Sequence, residues 1–296
     1  MRGLAAFALL LVACDTAEID PSLSGVFPCR SASDCPPTQS CVLRTCYREA
    51  PPRLEVMSPE AEVAFPVGDD EFVPVVIKIG GDDLELVDPR HDPDEEFGRG
   101  HVQLLVDGVE QAVLTSGDLR SGVTMQVLVE AVAGPHRIQA IARNSAGTRY
   151  DNEGAEARRL FWLDDGAAHV AFLEPFPGDA FPLEATEIEV ALATLNFTLN
   201  RPGGENMERL GHVHVHYDEL FPECAFEPVC EANQIGMVTA PAPANTARDT
   251  VVLPSAGEGD ATLTALLRKQ DHSLYFYPPW TEDPVWEDIV IRRAKP

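Results

Sequence analysis

The sequence predicts an all-β chain, two tandem β-sandwiches that follow a small disulfide-rich N-terminal module. From Pro51 onward, apolar residues alternate in short runs cut by Pro, Gly and Asp, with no sustained helical period. Proline accounts for 25 of the 296 residues, about 8% against a usual ~5%, which suits turns and sheet edges and works against long helices. The same stretch also repeats itself in three blocks.

Export comes first in chain order. MRGLAAFALLLVAC carries one cation, Arg2, before an apolar run from Leu4 to Ala13, the layout of a secretory signal. The run is far shorter than the roughly 20 residues of a bilayer span. It ends in Leu11, Val12, Ala13 and Cys14, which resembles the lipobox of bacterial lipoproteins. The resemblance implies a signal peptide over 1–13, a diacylglyceryl group on the Cys14 thiol, and a flexible tether over 14–28. One acyl chain holds a protein marginally, whereas two or more anchor it stably. The expected address is therefore the cell envelope: exported and lipid-anchored to a bacterial membrane, at the outer membrane or the periplasmic face.

With 48 acidic and 22 basic residues, the net charge is −26. Such a chain repels phosphate backbones, which excludes nucleic acid as a partner, and it suits divalent cations or cationic surfaces. Beyond residue 13 there is far more chain than one sandwich of roughly 100 residues needs, and enough for two.

Seven cysteines leave six once Cys14 carries lipid. An exported chain lives where disulfides persist, so three bridges are expected. Cys29, Cys35, Cys41 and Cys46 fall in a mini-module over 29–48, and Cys224 and Cys230 bracket a five-residue loop. The first cluster, above all SDCPPTQSC, resembles small EGF- or Dickkopf-like cysteine modules. It is too short for a hydrophobic core, so two bridges must hold it. Four cysteines allow three connectivities, among which the sequence does not choose; the leaning is to Cys29–Cys41 with Cys35–Cys46. A zinc site is the rival, but five-residue gaps are wider than the usual C-x2–4-C pairs. The module's expected role is a spacer between membrane and sandwiches.

The repeat follows. SPEAEVAFP (58–66) matches EPFPGDAFP (174–182), RGHVQLLVDG (99–108) matches LGHVHVHYDE (210–219), and IQAIAR (138–143) matches LTALLR (263–268). The expected sandwiches occupy 52–165 and 166–296, joined through LDDGAAH (163–169). Strands are expected near 53–57, 72–79, 101–107, 111–115, 123–132, 136–143 and 158–163. In the second copy they are expected near 169–173, 186–199, 211–218, 234–239, 249–254, 260–268 and 287–293. Seven short strands per copy argue for an Ig-like β-sandwich. Each copy resembles the Ig-like and cadherin-like modules of secreted bacterial proteins, which implies a binding or structural role.

No nucleophile elbow, phosphate-cradling glycine loop or HExxH helix is present, so an enzyme is not expected. No cofactor is required by this reading, but two metals have candidate ligands. The acidic loop 80–98, with Asp82, Asp83, Glu85, Asp88, Asp92, Asp94, Glu95 and Glu96, offers the oxygens calcium prefers, though its spacing matches no EF-hand. Asp164 and Asp165 are further calcium candidates between the copies. An aromatic cluster before the last strand, with Tyr275, Tyr277, Trp280 and Trp286, offers a platform for a glycan or envelope-protein ligand.

The remaining candidate is GHVHVH. In a strand, Val213, Val215 and Tyr217 face one way and His212, His214 and His216 the other. Two readings stand: a solvent-facing histidine row, or a copper or zinc site. Adjacent same-face histidines lie roughly 6.6–6.8 Å apart at the backbone and can share an ion, whereas His212 and His216, roughly 13 Å apart, should not. A site therefore takes one H-x-H pair plus an outside ligand: His272, His169 or Asp218. The run resembles the H-V-H copper-ligand motif of copper–zinc superoxide dismutases. No histidine lies between His216 and His272, so that family's downstream ligands are missing and dismutase activity is not expected.

Overall fold

The computed structural model describes residues 24–25, 27–91, 96–217, 234–255, 257–277 and 284–295. Cys14, Asp92, Asp94, Glu95, Asp218, Cys224, Cys230 and Trp280 lie outside the described residues. Among the described residues there is no α-helix, only two short 3-10 turns, and no helix long and apolar enough to cross a membrane.

The mini-module is a hairpin of β1 (Ser40–Val42) and β2 (Thr45–Tyr47). Cys29–Cys41 and Cys35–Cys46 are bonded, the pairing leaned to above. The sulfurs are thus committed to each other and not to zinc. Each bridge closes a loop of about a dozen residues, on the order of 3 kcal/mol on the loop-entropy formula. The module is more than a free spacer. Val42 joins the first sandwich's core, Tyr47 stacks on Phe97 at 3.9 Å, and the Leu43 amide donates to Asp151 at 2.7 Å.

The first sandwich uses β3 (Arg53–Ser58), β4 (Ala64–Pro66), β5 (Phe72–Asp82), β6 (Glu85–Leu86), β7 (Arg99–Val106), β8 (Val109–Leu114), β9 (Val123–Glu130), β10 (Gly134–Asn144) and β11 (Glu156–Asp164). The second uses β12 (His169–Glu174), β13 (Ala180–Pro182), β14 (Glu187–Leu195), β15 (Thr198–Leu199), β16 (Leu210–Tyr217), β17 (Gln234–Val238), β18 (Thr246–Val252), β19 (Gly259–Lys269) and β20 (Trp286–Ala294). Both have one topology. A sheet β3-β5-β9 faces β4-β11-β10-β7-β6 with β8 on β7; a sheet β12-β14-β18 faces β13-β20-β19-β16-β15 with β17 on β16. The protein is therefore all-β, with two tandem Ig-like β-sandwiches after the disulfide-bonded hairpin. Each expected strand overlaps an observed one. The expectation missed β1, β2, β4, β6 and β13, runs of two or three residues with no period to read, and joined β14 and β15 into one strand over 186–199.

Alternation builds the cores. Val102, Leu104 and Val106 of β7 enter the first, and Val213, Val215 and Tyr217 of β16 enter the second. A fully buried side chain of this size contributes roughly 1.5–3 kcal/mol. Between the sandwiches Leu160 and Trp162 pack on Ala171 and Ala193. Arg137 Nη2 donates to Glu287 Oε1 at 2.6 Å and to the Phe172 carbonyl at 3.2 Å, while Glu287 Oε2 accepts from the Phe172 amide at 2.7 Å.

Candidate metal centre

The centre is built on β16. The strand's second residue is Gly211 because the chain passes too close for a side chain: a Cβ there would lie 1.8 Å from the Arg268 carbonyl oxygen, as one at Gly100 would from that of Arg143. Antiparallel pairing with β19 then sets His212 opposite Arg268, His214 opposite Leu266 and His216 opposite Thr264. The valines between them face the core, so the histidines line the outer face of the sheet.

That face is not open to water. His212 and His216 are 0% exposed and His214 is 4% exposed, which corrects the expectation of a solvent-facing histidine row. Burial of neutral imidazole is tolerable, while burial of imidazolium is not. Burial, with the nearby charges of His272 and Arg268, lowers the His212 pKa to about 4. Burial and His212 lower that of His214 to about 2. Both rings are therefore neutral at pH 7, the state in which nitrogen offers a lone pair.

The third histidine comes from the turn after β19. His272 stands there with φ of +68°, its amide donating to the Lys269 carbonyl at 3.0 Å. The Asp271 carboxylate clamps this turn, accepting from Ser273 Oγ at 2.5 Å, the Ser273 amide at 2.9 Å and Asn206 Nδ2 at 2.7 Å. The Ser273 bonds foremost hold its pKa down to about 2. Arg268 Nη1 donates to the His272 carbonyl at 3.2 Å.

These elements bring three ring nitrogens to one point. His212 Nε2, His214 Nε2 and His272 Nδ1 form a triangle with every edge 3.1 Å. Each nitrogen contact needs one donor and one acceptor. A ring nitrogen carries either a proton or a lone pair, so no proton arrangement serves all three edges well. A cation can accept all three lone pairs at once. Such a triangle has its centre about 1.8 Å from each corner, so all three nitrogens could hold one ion at the ~2.0–2.1 Å bonds imidazole makes. Three protein ligands would leave such an ion a fourth position for a non-protein ligand.

The other candidates fall elsewhere. His216 stands outside the triangle, its ring centroid 6.4 Å from that of His214. His169 lies by the linker, its Nε2 3.1 Å from Asp165. Asp164 and Asp165 already accept from Gly166, Asn196 and Ala167. In the acidic loop, Asp88 accepts from Arg90 and contacts His91. The aromatic platform needs correction: Tyr275 is buried in the second core, edge-on to Phe197, so it presents no exposed face. Tyr277 carries the Arg209 guanidinium over its ring at 5.3 Å, and Trp286 is 39% exposed. Arg268 went unread in the sequence; its signal is the arginine that closes both IQAIAR and LTALLR.

No protein-family profile and no curated protein matches the chain. Solved structures do. The fibronectin(III)-like modules of Clostridium thermocellum CbhA are 13% identical over 82% of this chain and 94% of that one, with a TM-score of 0.25. A putative membrane anchored protein from Corynebacterium diphtheriae is 13% identical over 85% of this chain, which spans 63% of it, with a TM-score of 0.24. A tetra-tandem repeat in the extending region of a large adhesion protein is 14% identical over 85% of this chain and 51% of that one, with a TM-score of 0.25. None of these likenesses bears on the histidine triangle.

Proposed function

We propose that this is an exported cell-envelope protein, tethered through Cys14, whose second sandwich binds a transition-metal ion with His212, His214 and His272. The reading is one of binding and not of catalysis. The observation that carries it is the 3.1 Å nitrogen triangle. Imidazole donors suit zinc, copper and nickel, and an all-nitrogen set disfavours calcium, which takes oxygen. Zinc and copper stand first. The tether rests on the lipobox resemblance, and the layout is the signal peptide over 1–13, tether over 14–28, hairpin module over 29–48 and sandwiches over 52–165 and 166–296. A third bridge, Cys224–Cys230, belongs to the same reading, since exported cysteines pair.

Two measurements test this. Protein purified without chelator carries close to one equivalent of zinc or copper; a metal-free protein that takes up neither at neutral pH contradicts the binding role. Radiolabelled palmitate enters the wild type and not Cys14→Ser; equal labelling removes the tether.

A further inference from the structure

The two sandwiches contain the same arginine in the same place, with one difference. In the first, Arg143 Nη1 donates to the Gly147 carbonyl at 2.9 Å and its Nε donates to Gln103 Oε1 at 2.9 Å. In the second, Arg268 Nη1 donates to the His272 carbonyl, but the residue at the place of Gln103 is His214. Arg268 is 0% exposed, and its Nε and Nη2 are buried with no hydrogen-bond partner among the described residues. Arg268 faces His212 directly across the strand pair. A buried guanidinium with two idle donors is costly, and a divalent ion on three neutral imidazoles beside it adds further positive charge. The Asp271 carboxylate is exposed and committed to Ser273 and Asn206.

We infer that the fourth position on the metal takes a small monoanion, which the Arg268 guanidinium holds through Nε and Nη2. A single anion would neutralise part of the buried charge and fill both donors, as charge-assisted guanidinium pairs do. This rests on the metal reading above. The substitution of Gln103 by His214 would thus do two things at once: it supplies a ligand and frees the arginine for the ligand's counterion.

The test uses the chelator-stripped protein reloaded with cobalt(II), whose visible bands report the coordination sphere, titrated with azide. The wild type shows a saturable band shift. Arg268→Gln still loads cobalt but binds azide roughly ten-fold or more weakly, the scale of one charge-assisted hydrogen bond. Should Arg268→Gln fail to fold, Arg268→Lys keeps the stem and charge but loses the fork, and the same weakening is expected. A wild type that loads cobalt yet ignores azide overturns the anion site while leaving the metal site standing. Unchanged azide affinity in a folded arginine variant assigns the anion elsewhere and overturns the role of Arg268. Failure to load cobalt removes the metal reading itself.

Discussion

His272 occupies the place that Gly147 holds in the first sandwich. The φ angles are +68° and +86°, and each carbonyl accepts from the arginine four residues earlier. Each also lies three residues before a tyrosine whose amide returns to the strand, Tyr150 to Ala142 and Tyr275 to Leu267. The left-handed region suits glycine and is uncommon for other residues. The second sandwich thus keeps a side chain where its sister has none, and that side chain completes the triangle.

The first prediction follows from this conflict between backbone and ligand. In chelator, His272→Gly is as stable as the wild type or up to about 1 kcal/mol more so, because relief of the left-handed residue offsets glycine's unfolded-state entropy. With zinc at 100-fold its dissociation constant, only the wild type gains ~2.7 kcal/mol. Urea midpoints with and without zinc check both. A metal-free variant weaker by ~2 kcal/mol, or one that keeps the zinc shift, refutes the assignment.

A second prediction concerns the junction. Arg137 and Glu287 are 12% and 10% exposed at their side chains, and burial raises the Glu287 pKa despite the neighbouring guanidinium. Arg137→Met leaves that carboxylate without its cation, a loss on the order of 3 kcal/mol, whereas Arg137→Met with Glu287→Leu recovers most of it. Denaturant unfolding of the two variants decides. Equal losses would mean that the pair does not act as a unit.

The third prediction is a pH dependence in the first sandwich. Burial lowers the His136 pKa, but Asp107 at 2.6 Å and the Val132 carbonyl at 2.7 Å outweigh it, and the net shift is upward. A pKa raised by folding stabilises the fold below the unfolded value of ~6.5, and that contribution is lost as pH rises through the folded pKa. Asp107→Asn flattens this slope. Melting temperatures between pH 5 and 9, in chelator, give the comparison; an unchanged slope in the variant rules out the pair as its source.

Much of this was legible because strand period and duplication are local signals. Val213, Val215 and Tyr217 face the core as their alternation requires, and the paired Gly100 and Gly211 mark the same close approach in both copies. Two features were not legible, and a third, His272, was legible only as one of three outside ligands. Whether the histidine face is covered depends on chain packed outside the sheet, which alternation does not encode, and the same holds for Tyr275. The third nitrogen comes from 60 residues away, through a turn whose geometry alone separates His272 from His169. Extending the IQAIAR and LTALLR match by four residues would have set His272 against Gly147, a glycine and a histidine with no likeness until the turn is seen.

The sandwiches supply their own control for the central claim. His101 is buried at the place of His212, but its sandwich has Gln103 and Gly147 where the second copy has His214 and His272. The direct measurement is calorimetric zinc titration of chelator-stripped wild type, His214→Ala and His101→Ala. The account predicts one zinc per chain for the wild type and for His101→Ala, and none for His214→Ala. Stoichiometric zinc binding that survives His214→Ala would contradict it.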